Sequence, residues 1–170
     1  MARKTSLRDF QEYLAGRLLG AAQGRGASSL LGVRSGDENW LVDLADGGEI
    51  IPAPRLTPVP LTRPWFAGIA NIRGSLHAVV DFSMFCGGAP TPHNSNTRLL
   101  LVGSKHGSNA ALLVTRMLGL RSPDDFAPVP REAGGPAWGA ARFEDAQGGV
   151  WRKLSVRDLL GDDDFMNIGV

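Results

Sequence analysis

Three kinds of side chain in this sequence are candidates for chemistry. They are the histidines His77, His93 and His106, the single cysteine Cys86, and the acidic groups Asp124–Asp125 and Asp162–Asp164. Imidazoles and thiolates at close spacing would make a metal site, or a nucleophile with its base. No histidine here stands at metal-ligand spacing from another His, Cys or acidic residue. His93 and His106 fall in expected loops and His77 on an expected strand, so satisfied or solvated rings are the favoured reading. Cys86 has no CxxC partner, and beside Met84 and Phe85 it reads as a buried thiol. Adjacent carboxylates usually form a solvated face, and no calcium-loop spacing surrounds these. The glycines form no GxGxxG, GxxxxGK[ST] or GxSxG pattern. No catalytic constellation is visible, and neither metal nor cofactor is expected.

A binding surface is easier to argue. The segment Pro58 to Asp81 sets Trp65 and Phe66 beside a Pro-rich loop and places Arg73 in a tight turn between two apolar stretches. A guanidinium held there can grip a carboxylate with two parallel hydrogen bonds. That carboxylate belongs either to this chain or to a partner, and the residue types leave both open. Gly68 reads as a bulge or a close backbone approach, and Gly74 as a position needing positive φ.

The elements that must hold these residues are mostly short strands. Leu30 to Arg34 and Trp40 to Leu44 flank the turn residues Ser35 to Asn39, and Trp40, Val42 and Leu44 alternate with period two. Prolines 52, 54, 58, 60 and 64 suggest loop and edge strand. Phe66 to Ile72 and Leu76 to Asp81 flank Arg73-Gly74-Ser75 as a hairpin. Thr97 to Gly103 and Ala110 to Thr115 form another, and Trp138 to Glu144 with Val150 to Leu154 a further one. Arg121 to Pro136 reads as irregular. Ser155 can cap a short C-terminal helix carrying Val156, Leu159 and Leu160, stopped at Gly161.

Before the strands, residues 5–22 place Leu7, Phe10, Leu14 and Leu18 near one helical face. This predicts an N-terminal helical arm, with its linker spanning 1–27. A domain over 28–161 and a tail over 162–170 complete the expected organisation, with a break near 87–96. Many short strands and few helices indicate an all-β sandwich or barrel. Two small barrels packed together would bury the edges each hairpin leaves open.

Composition narrows the function. With 18 basic and 17 acidic residues, net charge +1, the chain carries no electrostatic case for nucleic acid or an anionic membrane. One cysteine permits no internal disulfide and fits a reducing cytosol. Arg8, Asp9 and Glu12 interrupt any signal-peptide core, and no apolar run nears the roughly 20 residues of a membrane helix.

The stretch Thr57 to Gly74, with Gly68-Ile69-Ala70-Asn71-Ile72-Arg73-Gly74, continuing to Val79-Val80-Asp81, resembles the core motif of CheW-like chemotaxis coupling proteins. Upstream, Gly36-Asp37-Glu38-Asn39-Trp40-Leu41-Val42-Asp43 resembles the same family's Gly-Asp-Glu-x-Tyr-x-Val-Asp hairpin, and Glu49-Ile50 its following Glu-Ile. The resemblance covers roughly residues 29–160. It implies two packed SH3-like five-stranded β-barrels and a non-enzymatic signalling adaptor. Its implied partners are the cytoplasmic tip of a methyl-accepting chemoreceptor and the regulatory domain of a CheA-type histidine kinase. Carried over by position, Arg73, Asn71, Gly68 and Glu49 would lie near the partner surface. The implied location is the cytoplasm, at membrane-associated receptor arrays. Gly47, Ala78 and Ser83 depart from the family's bulky apolar residue, proline and arginine. The arm and the Pro-Val-Pro-Leu-Thr-Arg-Pro-Trp wording resemble the branch serving type IV pilus twitching motility, called PilI. The alternative is a small-molecule-binding all-β domain or minor enzyme, which would need a deep pocket with converging polar groups.

Overall fold

The computed structural model describes Gln11, residues 29–102 and residues 104–170. The helical arm and linker expected over 1–27 lie outside the described residues, Gln11 apart. Among the described residues the strands are β1 (Leu30–Ser35), β2 (Glu38–Asp43), β3 (Gly47–Pro52), β4 (Phe66–Ile72), β5 (Ser75–Asp81), β6 (Arg98–Val102), β7 (Ala110–Val114), β8 (Arg116–Arg121), β9 (Phe126–Val129), β10 (Arg142–Asp145) and β11 (Val150–Leu154). Three short helices join them: α1 (Phe82–Phe85), α2 (Val156–Leu160) and α3 (Asp163–Met166).

The fold is mostly β, in two sheets. One has six strands in the order β8-β1-β2-β11-β10-β9, and the other five in the order β3-β6-β7-β5-β4. The sheets are not the two halves of the chain. The segment 87–96 lies between β5 and β6, two strands of the same sheet. Parallel pairs, β5 with β7 and β2 with β11, tie strands that are distant in sequence. Such pairs need long crossovers and leave no local signature.

Side-chain alternation explains why whole runs of these strands are buried. On β7, Ala110, Leu112 and Val114 face a central core, while Ala111 and Leu113 face a second one. On β1 and β2, Leu31, Val33, Trp40 and Val42 join the central core, and Leu30 and Leu41 turn to a third core with Trp151. The central core lies between the sheets and the outer two lie on their far faces. Both faces of the middle strands are therefore covered, and each fully buried Leu or Val contributes about 1.5–3 kcal/mol.

Two stretches differ from expectation. Arg121 to Pro136 is not irregular throughout, because Arg121 ends β8 and Phe126–Val129 forms β9. The latter is an edge strand, so Pro128 gives up no ladder bond that a neighbour needs. Trp138 sits in a 3-10 turn, Ala137–Gly139, and the strand begins only at Arg142. Its indole stacks on Trp40 at 5.9 Å, so burial in the central core decides its backbone. At the far end, Ser155 caps α2, its hydroxyl accepting from the Asp158 N–H at 3.3 Å. The buried Asp81 carboxylate, at the close of β5, accepts from the Met84 N–H, the Thr91 N–H and the Thr91 hydroxyl. One residue thus starts α1 and moors the 87–96 loop.

Candidate partner surface

The β4–β5 hairpin builds the site. Ile72 pairs with Ser75, leaving Arg73 and Gly74 as a two-residue turn with φ of 51° and 83°. Positive φ at both positions is the turn whose twist matches a right-twisted hairpin. Glycine adopts this freely, and arginine does not. Asn71 holds the turn, its Oδ1 accepting from the Gly74 N–H at 3.0 Å. The fixed turn projects the Arg73 side chain back to Glu49 on β3, with Nη1–Oε2 at 2.7 Å and Nη2–Oε1 at 2.5 Å. In the chain by itself, the guanidinium grips a carboxylate of this chain. The Arg73 hydrogen bond holds the Glu49 carboxyl below its ordinary range, and the same bond raises Arg73. Since β3 and β4 are the two edges of the five-stranded sheet, the pair bridges those edges.

The pair remains open to solvent, with 72% of the Arg73 side chain and 39% of Glu49 accessible. Leu76, across the ladder from Asn71, is 62% exposed. Asn71, Arg73 and Glu49 are thus brought together, and Leu76 adds an apolar group that the sequence reading did not single out. Its signal was available: a leucine on the outward register of a strand, next to a tight turn. Gly68 does not join them. It is buried at a bulge with φ of 134°, and a Cβ there would lie 2.4 Å from the Thr57 carbonyl oxygen. It lets the Thr57–Pro58 backbone cross β4, where Thr57 and Ile69 exchange hydrogen bonds at 2.9 Å.

The other candidates disperse. His106 and Lys105 approach Asp46 at 3.4 and 3.7 Å. Asp162 is used internally, accepting from the Trp138 indole and the Phe165 N–H, both at 3.1 Å. Cys86 is exposed, not buried as its neighbours suggested, because it follows α1 into the loop. Its thiol is still pushed up to about 12, first by desolvation against the protein, then by Glu38. Among the described residues, no three His, Cys, Asp or Glu side chains are grouped to hold a metal ion. No described helix is long and apolar enough to cross a membrane.

Residues 29–164 match the CheW-like domain family. The chain belongs to that family. It is similar to the protein PilI of Pseudomonas aeruginosa PAO1, with 32% identity over 72 residues. That match takes in 42% of this chain and 40% of PilI. The fold is also that of the scaffolding protein TtCheW from Thermoanaerobacter tengcongensis, with a TM-score of 0.64 and 18% identity. The superposition covers 76% of this chain and 89% of TtCheW. Within this CheW-like frame two departures are packing matters. A Cβ at Gly47 would meet Leu100 and Val42 at 3.3 Å, so a larger residue there would require both side chains to shift. Ser83 is buried, and Gly36 and Gly88 approach it so closely that a Cβ on either would lie 2.7 Å from its hydroxyl.

Proposed function

We propose that this chain is a non-enzymatic adaptor. It couples methyl-accepting chemoreceptors, through their cytoplasmic tip, to the regulatory domain of a CheA-type histidine kinase. Its pathway is the one controlling type IV pilus twitching motility, and it works in the cytoplasm at membrane-associated receptor arrays. The observation that carries this is the β4–β5 tip. There a solvent-facing Arg73–Glu49 pair sits on an Asn71-pinned turn, beside the exposed Leu76. An arginine with a neighbouring apolar group is a good protein-docking element, since a partner carboxylate can share the guanidinium while Leu76 is covered. Membership of the CheW-like family supports the coupling role, and the likeness to PilI supports the pilus branch.

The two sheets act as two SH3-like barrels in this reading. Arg73–Glu49 ties the edges of one. In the other, Arg121 of β8 lies over Trp151 at 5.2 Å, and Phe126 of β9 packs edge-on against the same indole. A stiff adaptor of this kind transmits receptor state only if its contacts differ between the receptor's states. The test is calorimetric titration of the intact chain and of Arg73→Glu with a receptor-tip fragment and with a kinase regulatory domain. Binding of both by the intact chain, weakened in the variant at unchanged fold, is expected. An intact, folded chain that binds neither would overturn the adaptor role.

A further inference from the structure

The segment Asp162–Val170 is seated on the body by one buried aromatic and a short run of backbone pairing. Phe165 is inserted, 4% exposed, against Trp65 and Phe85 with ring centroids 6.5 and 5.3 Å away. Ile168 packs on the same core half-buried. Besides these two and Asp162, whose carboxylate accepts from the Trp138 indole at 3.1 Å, the contact is main-chain. Arg63 N–H donates to the Ile168 carbonyl at 2.8 Å, and Val170 N–H to the Leu61 carbonyl at 3.2 Å. Thr62 and Gly169 form an antiparallel bridge between the two segments. This is strand addition with one aromatic anchor, the usual way a peptide docks to a protein edge.

The seat is larger than its occupant. A cavity of about 260 Å³ lies under the segment, between Phe66, Ala78 and Val80 on one side and Phe165, Met166 and Ile168 on the other. A second hollow, about 410 Å³, opens on its other flank, lined by Trp65, Phe85 and Trp138 with Asp162 and Asp164. Both hollows open to solvent, so the body does not close over the segment's flanks. Met166 and Val170 are 62% and 79% exposed. The receiving backbone is strained as well. Leu61 has φ of 58°, rare for a bulky residue, and its side chain is 81% exposed, so no packing of its own holds it there.

We propose that Asp162–Val170 is a removable strap. It occupies in cis a peptide-docking groove formed by Phe66, Ala78, Val80 and the Leu61–Arg63 edge. A competing partner segment would carry an aromatic anchor, an apolar residue three positions on and an acidic lead, as Phe165, Ile168 and Asp162–Asp164 do. The strap opens and closes while the sheets stay folded, and release relaxes Leu61.

Hydrogen exchange on the intact chain, with titration of a labelled peptide of residues 162–170, tests this. The Arg63 and Val170 amides are expected to exchange about 100-fold faster than those of β7, by local opening. The peptide is expected to bind Phe165→Ala about tenfold tighter than the intact chain, because the weakened strap leaves more groove free. Should Phe165→Ala fail to fold, Val170→Pro decides, since it removes one strap hydrogen bond and leaves the core untouched. Exchange of Arg63 and Val170 only together with β7 would overturn the proposal. So would a peptide that binds neither folded variant, or a dimer with exchanged segments in solution. No receptor or kinase enters these readouts, so the strap stands or falls separately from the coupling role.

Discussion

Two arginines stand in opposite settings, one largely buried with every nitrogen used and one largely exposed. Arg152, on the seam where β11 runs parallel to β2, has a side chain only 17% exposed. Its Nε donates to the Gly139 carbonyl at 3.1 Å, Nη1 to Glu38 at 3.2 Å and Nη2 to Glu132 at 2.7 Å, and its guanidinium lies 5.1 Å over the Trp40 ring. Every nitrogen and the flat face are used. Arg73, at the β4–β5 tip, spends its donors on Glu49 alone and stays 72% exposed. The same side chain is a staple in one place and an open hand in the other. Screening explains why the second is poor at holding a fold, since exposed ion pairs contribute little to stability.

If the tip were only structural, substitutions there would cost what they cost elsewhere on the hairpin. Gly68→Ala, on the same β4, sets that scale. It puts a Cβ against the Thr57 carbonyl at a φ of 134°, and should cost about 2–3 kcal/mol, lowering Tm by roughly 5–10 °C. Differential scanning calorimetry reads this directly. A variant as stable as the parent would mean that the Thr57–Pro58 crossing is not fixed. Arg152→Ala comes next. It strips packing from Trp40 and leaves Glu38 and Glu132 without their partner, for a loss of about 2 kcal/mol in denaturant unfolding. A loss near zero would erase the contrast between seam and tip.

The same contrast governs what was legible in the sequence. The turns wrote themselves locally: Gly36, Arg73-Gly74 and Gly148 place the β1–β2, β4–β5 and β10–β11 hairpins where their φ values require. Family membership was legible from the Gly68–Gly74 and Gly36–Asp43 wording. What depends on distant partners was not. The β8 and β9 strands owe their form to β1 and β10, and a Pro-bearing, half-exposed stretch carries no period that announces an edge strand. Glu49 could be paired with Arg73 only in space, 24 residues apart, and Arg152 with Glu38 over 114. Leu76 was passed over because a leucine in a strand reads as core until the face it occupies is known. Cys86 was misplaced for the same reason, since its apolar neighbours do not reveal that the chain turns outward after α1.

Arg73→Glu separates the two roles at the tip. The fold should hold, with Tm within a degree or two, because both partners are largely in water. Affinity for the partner should fall about tenfold or more, since a guanidinium offers a fork that no carboxylate replaces. The swapped pair Arg73→Glu with Glu49→Arg sharpens this. It restores an internal ion pair with the charges exchanged. Binding that stays lost assigns the reading of the guanidinium to a partner, whereas binding that returns leaves Arg73 a purely internal clasp.

The smallest effect reports on the seam through Cys86. Its thiol is raised to about 12 by desolvation first, then by Glu38, with Arg152 pulling it down and Asp81 adding to the rise. At pH 7.5 that leaves roughly three-thousandfold less thiolate than an ordinary cysteine of pKa about 8.5, so iodoacetamide should label this exposed residue slowly. Glu38→Gln should speed labelling and Arg152→Ala slow it, while Arg73→Glu leaves it unchanged. The sign for stability follows from proton counts. Above about pH 8.5 the unfolded chain loses the thiol proton while the folded chain keeps it, so stability is full below that pH and falls as pH rises toward 12. Denaturation midpoints measured from pH 8 to 11 should therefore decline more steeply in the parent than in Cys86→Ala. Parallel declines would mean that folding does not raise the thiol, and a Glu38→Gln variant that labels at the parent's rate would mean that the seam's charges do not reach it.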